Sequence, residues 1–226
     1  VKPSITLGYM QDPKDVLEME RVKSDGVSWI KRPTGGRAVL HFEDITYSCV
    51  FSKSLRFMGT SVQESYRIIT RGLIEGLNKI GVICQAHDSY DQLHEVKREV
   101  KLPCFLAPNR DEIMVDGRKL VGSAQRRCTT GVLQHGSIPI SDYYRKLPEY
   151  LNISDKEREI QRKLLQRKSV SLDELKIDVS VGTIIAALKA GFEESFGLKS
   201  VTQSWSNDEI AAIEKNISPE NHSKIT

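Results

Sequence analysis

From Val62 through Tyr66, Ile69, Leu73 and Leu77 to Ile80, apolar residues recur at steps of three and four, the mark of one buried helix face. Ser61 stands where the cap should be and Gly81 where the helix should close, so the stripe predicts a helix packed on a sheet. Upstream, residues 5–9 alternate as a strand. Asp12 followed by Pro13 supplies an N-cap and a proline at the first helical position, predicting a helix to about Ser24. Residues 27–30 read as a strand. After the Pro33-Thr34-Gly35-Gly36 turn, 38–40 and 45–51 carry the β-branched and aromatic residues of buried strands joined by a short polar turn.

Downstream, 82–84 reads as a strand and 85–101 as an exposed loop, because its apolar periodicity is weak. The Asp116-Gly117 pair predicts a hairpin of 112–115 with 119–124. A further strand spans 131–138. From Ser141 the pattern becomes helical, with Ile184, Leu188, Phe192 and Phe196 striping a helix over 181–196 and a last helix over 207–215. There is no internal repeat, and 167–171 is the sole candidate linker. Mixed strands with a few helices argue an α+β fold, a mixed β-sheet flanked by helices, with 141–226 forming a mainly helical C-terminal part of the same domain.

Composition narrows the function classes. A chain of 226 residues with 39% hydrophobic content can bury a core. A formal charge of +3 is too small to make nucleic acid the default partner. The most apolar stretch, 181–192, is broken by Lys189 and falls short of the roughly 20 residues a membrane span needs. No secretory signal opens the chain, and its start at Val1 is compatible with upstream trimming. Cys49, Cys84, Cys104 and Cys128 show no C-x-x-C pair and no zinc spacing, which points to free thiols, a cytoplasmic setting and no metal.

Four segments hold candidate chemistry. In Lys31-Arg32-Pro33-Thr34-Gly35-Gly36-Arg37, two glycines admit close backbone approach while Arg32, Thr34 and Arg37 can donate to a carbonyl or phosphate; an ordinary tight turn with solvated arginines is the competing reading. His41, at the end of the strand that follows, is either a satisfied edge histidine or a site residue. Cys104 lies between Pro103 and Pro108, and a lysine on the nearby hairpin, Lys119, would favour its thiolate and could exchange a proton with it; a buried inert thiol stands level with that. Cys128 sits in a polar turn and could react by exposure alone. His135 beside Gly136 in a strand either binds a substrate or anchors a bulge. The run from Lys156 to Lys168 holds six Lys or Arg against two Glu, a solvated helix face or a surface for an acidic partner.

Taken in order, R-P-T-G-G-R-A-V-L-H (32–41), G-R-K-L-V-G-S-A-Q-R-R (117–127) and L-Q-H-G-S-I (133–138) resemble the catalytic core of the biotin/lipoate protein ligase superfamily, in its lipoate ligase and octanoyltransferase branch. Biotin ligases fit less well, since their G-R-G-R loop is not what stands at 35–39. The P-C-F-x-x-P element at 103–108 is similar to the cysteine-dependent octanoyltransferases. The resemblance covers about 5–140 and implies a catalytic core over 1–140 that lacks the helix and strand the family carries ahead of Leu7-Gly8.

The resemblance also implies an octanoyltransferase that moves an octanoyl group from acyl carrier protein to the target lysine of a lipoyl domain or glycine-cleavage H protein. Cys104 would be the acyl-accepting nucleophile and Lys119 the activating lysine. Arg32, Thr34, Gly35, Gly36, Arg37 and His41 would line the mouth of the acyl pocket, with Gly122, Ser123, Ala124, His135 and Gly136 opposite. Arg126, Arg127, Arg162, Lys163, Arg167 and Lys168 would steer acidic partners. No cofactor is needed for thioester exchange. An ATP- and Mg-dependent lipoate ligase is the alternative, and an inactive lipoyl-domain or acyl-binding protein a further one.

Overall fold

The computed structural model describes residues 2–55, 59, 61–87, 104–106 and 112–217. The element order is β1 (Ser4–Leu7), α1 (Pro13–Val16), α2 (Met19–Ser24), β2 (Ser28–Lys31), β3 (Val39–His41), β4 (Asp44–Ser52), α3 (Val62–Lys79) and β5 (Gln85–His87). There follow β6 (Glu112–Val115), β7 (Arg118–Lys119), β8 (Gly122–Arg127), β9 (Gly131–Pro139), α4 (Asp155–Lys168), α5 (Val181–Phe196) and α6 (Asn207–Ile217). Two 3-10 segments, Cys104–Leu106 and Asp142–Tyr150, complete the described elements.

The strands form three small sheets ordered β2-β1-β3, β4-β9-β8 and β5-β6-β7. Among the described strand pairs β1 and β2 run parallel and the others antiparallel. The first sheet rests on the Asp142–Tyr150 segment, with Ile5, Leu7, Leu40, Leu147 and Leu151 in one core. A larger core joins Leu73 and Leu77 of α3, Ile184 and Leu188 of α5, Ile113 and Ile138 of the other two sheets, and Leu120 between β7 and β8. The result is the expected α+β fold.

The α3 helix starts as its pattern predicts, and Ser61 and Glu64 form a reciprocal capping box that satisfies two backbone donors. Its junction with α5 is unusually close because glycines meet: a Cβ on Gly191 would lie 2.2 Å from the Gly76 nitrogen.

Four elements differ from the pattern. The helix expected from Asp12 to Ser24 is two, because Leu17 turns extended (φ −104°, ψ 141°) to bridge Leu151 in the core. Residues 82–84 are not a strand: Gly81 (φ +86°) reverses the chain and the Val82 nitrogen donates to the Leu77 carbonyl, so pairing starts only at Gln85. The rest of the expected 85–101 loop, 88–101, lies outside the described residues. The Asp116-Gly117 hairpin forms with positive φ at both residues, but its second strand ends at Lys119, and Gly122–Arg127 pairs in another sheet. Finally, 167–171 is no linker. Ser169, Val170 and Ser171 are buried, Ser169 bridges Lys119, and the Val170 nitrogen donates to the Lys119 carbonyl at 3.0 Å, extending the β7 edge. No described helix is long and apolar enough to cross a membrane.

The glycine crossing generates a test. Gly191→Ala forces backbone apart at a packed helix pair and should cost about 1–3 kcal/mol. Gly182→Ala, in the same helix with nothing closer than 3.7 Å, should be neutral or stabilise by up to about 1 kcal/mol. Urea midpoints of the two variants check the contrast.

Candidate functional site

Between the first sheet and the β4-β9-β8 sheet lies a cavity of about 1120 Å³. Its walls are built from the turn and strand residues that the motifs singled out, and they are held from behind by a buried cation. Arg32 is 6% exposed; its guanidinium donates to the carbonyls of Thr6 (3.0 Å), Gly35 (3.0 Å) and Arg37 (2.8 Å). Arg32 therefore lines the cavity and folds the glycine turn onto β1. Gly36 takes φ +94°, and a Cβ on Gly8 would lie 2.0 Å from the Gly36 carbonyl oxygen, so backbone packs on backbone there. Thr34, Gly35, Gly36 and Arg37 stand behind the wall and support it; they are not among the residues facing the cavity.

Thr34 is fully buried and its Oγ1 lies 2.6 Å from His135 Nε2 on β9, the bond that ties the turn to the second sheet. Burial, and then the nearby Arg32 guanidinium, push the His135 imidazole below its ordinary range. Next to it, Tyr47 hydrogen-bonds Ser123 Oγ at 2.7 Å and accepts from Gln134 Nε2 at 3.2 Å, and desolvation drives its phenol upward. A Cβ on Gly136 would fall 2.4 Å from the Gly122 carbonyl oxygen and 2.6 Å from the Tyr47 ring, which explains the glycine of the third motif.

On the other rim, His41 Nδ1 lies 2.7 Å from Asp44 Oδ2 and its Nε2 lies 3.0 Å from Thr6 Oγ1. Asp44 also accepts from Ser137 Oγ at 2.6 Å. Arg32, His41, Gly122, Ser123, Ala124, His135 and Gly136, all expected from sequence, come together on the cavity. Thr6, Asp44, Tyr47 and Ser137 join them unannounced. The signal for Asp44 was its place three residues after His41 across the tight β3–β4 turn.

Lys119 approaches from the third sheet. Lys119 is only 2% exposed; its Nζ lies 2.5 Å from Oε1 of Glu112, itself 7% exposed. Glu112 too went unread in the sequence, although the hairpin register puts it near Lys119. The Lys119 Nζ is 5.8 Å from the centroid of Phe105, and the Phe105 ring is 3.3 Å from where a Cβ on the cavity-lining Gly122 would stand. Phe105 is thus wedged between the buried ion pair and the cavity wall. Its neighbour in the 3-10 turn is Cys104.

The other thiols differ. Burial pushes Cys49 up to about 11 and Cys84 up to about 12, whereas Cys128 is exposed and lowered by its hydrogen bonding with Thr130 and Gly131. Arg126 donates to the Pro33 carbonyl at 2.9 Å and stacks over Tyr9, and Arg127 donates to the Ser61 carbonyl and Ser65 Oγ, so both brace the scaffold. On α4, Arg162 pairs with Glu149 and Glu159, and Lys163 with Glu159, while Arg167 and Lys168 are exposed. Leu165 of that helix packs in a cluster with Phe105, so the basic helix lies beside the Cys104 turn.

A depressed histidine has a stability signature. Below about 6.5 the unfolded chain takes up a proton at His135 that the native state resists, so this residue lowers stability as pH falls through that range. His135→Asn should flatten the loss of stability between neutral pH and pH ~5, read from urea midpoints at each pH.

A family model for the lipoyl protein ligase A/B catalytic domain matches residues 1–193. The chain is 34% identical over 219 residues to octanoyltransferase LipM of Halalkalibacterium halodurans, covering 94% of this chain and 79% of that protein. It is 38% identical over 203 residues to octanoyltransferase LipM of Kyrpidia tusciae, covering 87% and 73%. Among solved structures, a bipartite lipoate protein ligase from Thermoplasma acidophilum, analysed with its E2 lipoyl domain, matches at TM-score 0.80 and 17% identity over 100% of this chain and 82% of that one. A lipoate-protein ligase A bound with ATP matches at TM-score 0.76 and 19% identity over 100% and 83%. At such identities the structural likeness speaks to the fold.

Proposed function

From the premise that the chain belongs to the lipoyl protein ligase A/B catalytic-domain family and is an octanoyltransferase of lipoate biosynthesis, we propose that it works through a thioester on Cys104 activated by Lys119. The observation that carries this is the buried Lys119–Glu112 ion pair set against Phe105, with Gly122 and the cavity on the other side of the same ring. A fixed ammonium beside the turn that bears the thiol favours its thiolate.

The thiolate attacks the donor thioester, the new C–S bond forms, and the carrier thiol leaves with the proton. Exchange between two thioesters is nearly isoenergetic, so the reading requires no ATP. The acyl chain then has apolar company in Val39, Ile45, Tyr47, Ile140 and Val181, which face the cavity. Burial of its methylenes contributes about 0.8 kcal/mol each. The donor is octanoyl acyl carrier protein and the acceptor the target lysine of a lipoyl domain or glycine-cleavage H protein; the lipoate ligase of similar fold studied with its lipoyl domain supports the second. Both kinds of partner are acidic. Arg167 and Lys168, exposed on the helix beside the Cys104 turn, support electrostatic steering of them.

Incubation with octanoyl acyl carrier protein and no ATP should add one octanoyl mass to the wild type, labile to hydroxylamine, and none to Cys104→Ala. Label on Cys128, or a strict need for ATP, would overturn the reading.

Lys119→Met alone strips Glu112 of this buried counter-ion, a loss of about 3–5 kcal/mol, so the informative variant is Lys119→Met with Glu112→Gln. Its rate of acylation, followed by intact mass, should fall on the order of 10²- to 10³-fold with the fold retained. An unchanged rate would reduce Lys119 to a structural residue.

A further inference from the structure

Helix α4 turns two faces to different neighbours. Gln161 and Leu165 are buried on the inner one, where Leu165 packs with Val39, Phe105 and Tyr144 against the 3-10 turn of Cys104–Leu106. On the opposite side, at steps of four, three and four, Lys156, Ile160, Lys163 and Arg167 stand in one outward ridge. All four are exposed, with Ile160 46% open to solvent among the cations. We propose that this ridge is the docking site of the acyl donor, the carrier protein, rather than of the acceptor; the proposal rests on the octanoyl-transfer reading of the same site.

The charge on the ridge is available. Arg158 and Arg162 of the same helix are engaged at its flank, the first with the Pro148 carbonyl and the second with Glu149 and Glu159. Glu157 reaches back to its cap, with Oε2 2.6 Å from the Ser154 hydroxyl. Lys163 does meet Glu159, at 3.3 Å, but with 69% of its side chain exposed that pair holds little energy and can be exchanged for a better-placed carboxylate. Lys156 and Arg167 form no ion pair with any described residue. The complement of such a surface is a short acidic one with an apolar centre that covers Ile160.

Reach decides which partner fits. The ridge and the 3-10 turn lie on opposite sides of α4, so a body seated on the ridge stands a helix thickness, about 10 Å, from the turn. An acceptor lysine projects from its protein by one side chain, which is shorter than that, so the acceptor must sit on the cavity mouth itself. The donor presents its acyl group at the end of a flexible pantetheine arm, which is longer than a helix is thick. A donor held on α4 can therefore deliver the thioester past the helix and leave the mouth clear for the acceptor. Exposed charges act over about 8 Å at physiological salt, so the three cations steer the approach of the donor and add little to the chemical step.

The test is binding and loading with the ridge reversed. The triple variant Lys156→Glu, Lys163→Glu, Arg167→Glu is compared with Lys53→Glu, Lys189→Glu, Lys199→Glu, an equal change of charge at exposed positions outside α4. Affinity for the holo carrier protein without an acyl group, read by fluorescence anisotropy, should fall on the order of tenfold in the first and stay within about threefold of wild type in the second. The ratio of kcat/KM for octanoyl carrier protein to that for octanoyl-pantetheine should fall by a similar factor, while transfer from the acylated ridge variant to a lipoyl domain should fall less than loading does. Replacing the three cations by Gln should give a smaller loss of the same kind, and carries the test should charge reversal loosen the helix. Undiminished affinity, equal losses in the two triple variants, or a loss confined to lipoyl-domain transfer would overturn the assignment. A wild type that binds the carrier through the ridge yet never gains an octanoyl mass would sink the Cys104 reading and leave the docking site standing.

Discussion

A guanidinium taken out of water has to be met by acceptors on several sides, and that demand on Arg32 shapes the site. Three carbonyls from β1 and from the turn after β2 converge on it, and they can do so only if the Gly35-Gly36 turn lies flat against Gly8. Once the turn is there, Thr34 points inward and binds His135 of the second sheet. Thr6 is left with its hydroxyl between Arg32 and His41. One buried cation thus fixes the spacing of two sheets and the hydrogen-bond direction at the cavity rim.

A second buried charge is handled differently. Lys119 is neutralised by Glu112 within the same hairpin and sealed by the Ser169–Ser171 segment, which adds itself to the β7 edge. Arg32 meets backbone dipoles and so organises geometry, whereas Lys119 meets a full negative charge and so stays where it is held. The hairpin that carries it turns through Asp116 and Gly117, both at positive φ. That two-residue turn brings Glu112 and Lys119 within reach.

What could be read from the sequence follows from this. Helices α3 and α5 were legible because each buries a stripe against a neighbour, a property of local spacing. The break at Leu17, the end of β7 at Lys119 and the burial of 169–171 were not. Each depends on a partner far along the chain: Leu151 for Leu17, β9 for Gly122–Arg127, and Lys119 for Ser169. In the site, Lys119, His41, His135 and the glycines stood out as residue types inside motifs. Thr6, Asp44, Tyr47 and Glu112 are ordinary strand and turn residues, and only register gives them a role. The linker reading of 167–171 failed for a related reason: a polar segment flanked by Ser169 and Ser171 looks solvated until Tyr144 is seen bonding Ser169 and Glu174 bonding Ser171.

Two acid–base pairs close to the cavity walls are held in different ways. On the proposed thioester route exchange conserves protons, so a positive charge held beside the Cys104 turn, as Glu112 holds Lys119, is enough to help it. The structure separates these pairs onto different sheets, with Glu112 and Lys119 on β6 and β7, and His41 and Asp44 on β3 and β4. Phe105 and Gly122 stand between them, so the buried ion pair meets the cavity wall through a single aromatic ring, and a change at Lys119 reaches the cavity only by moving that ring.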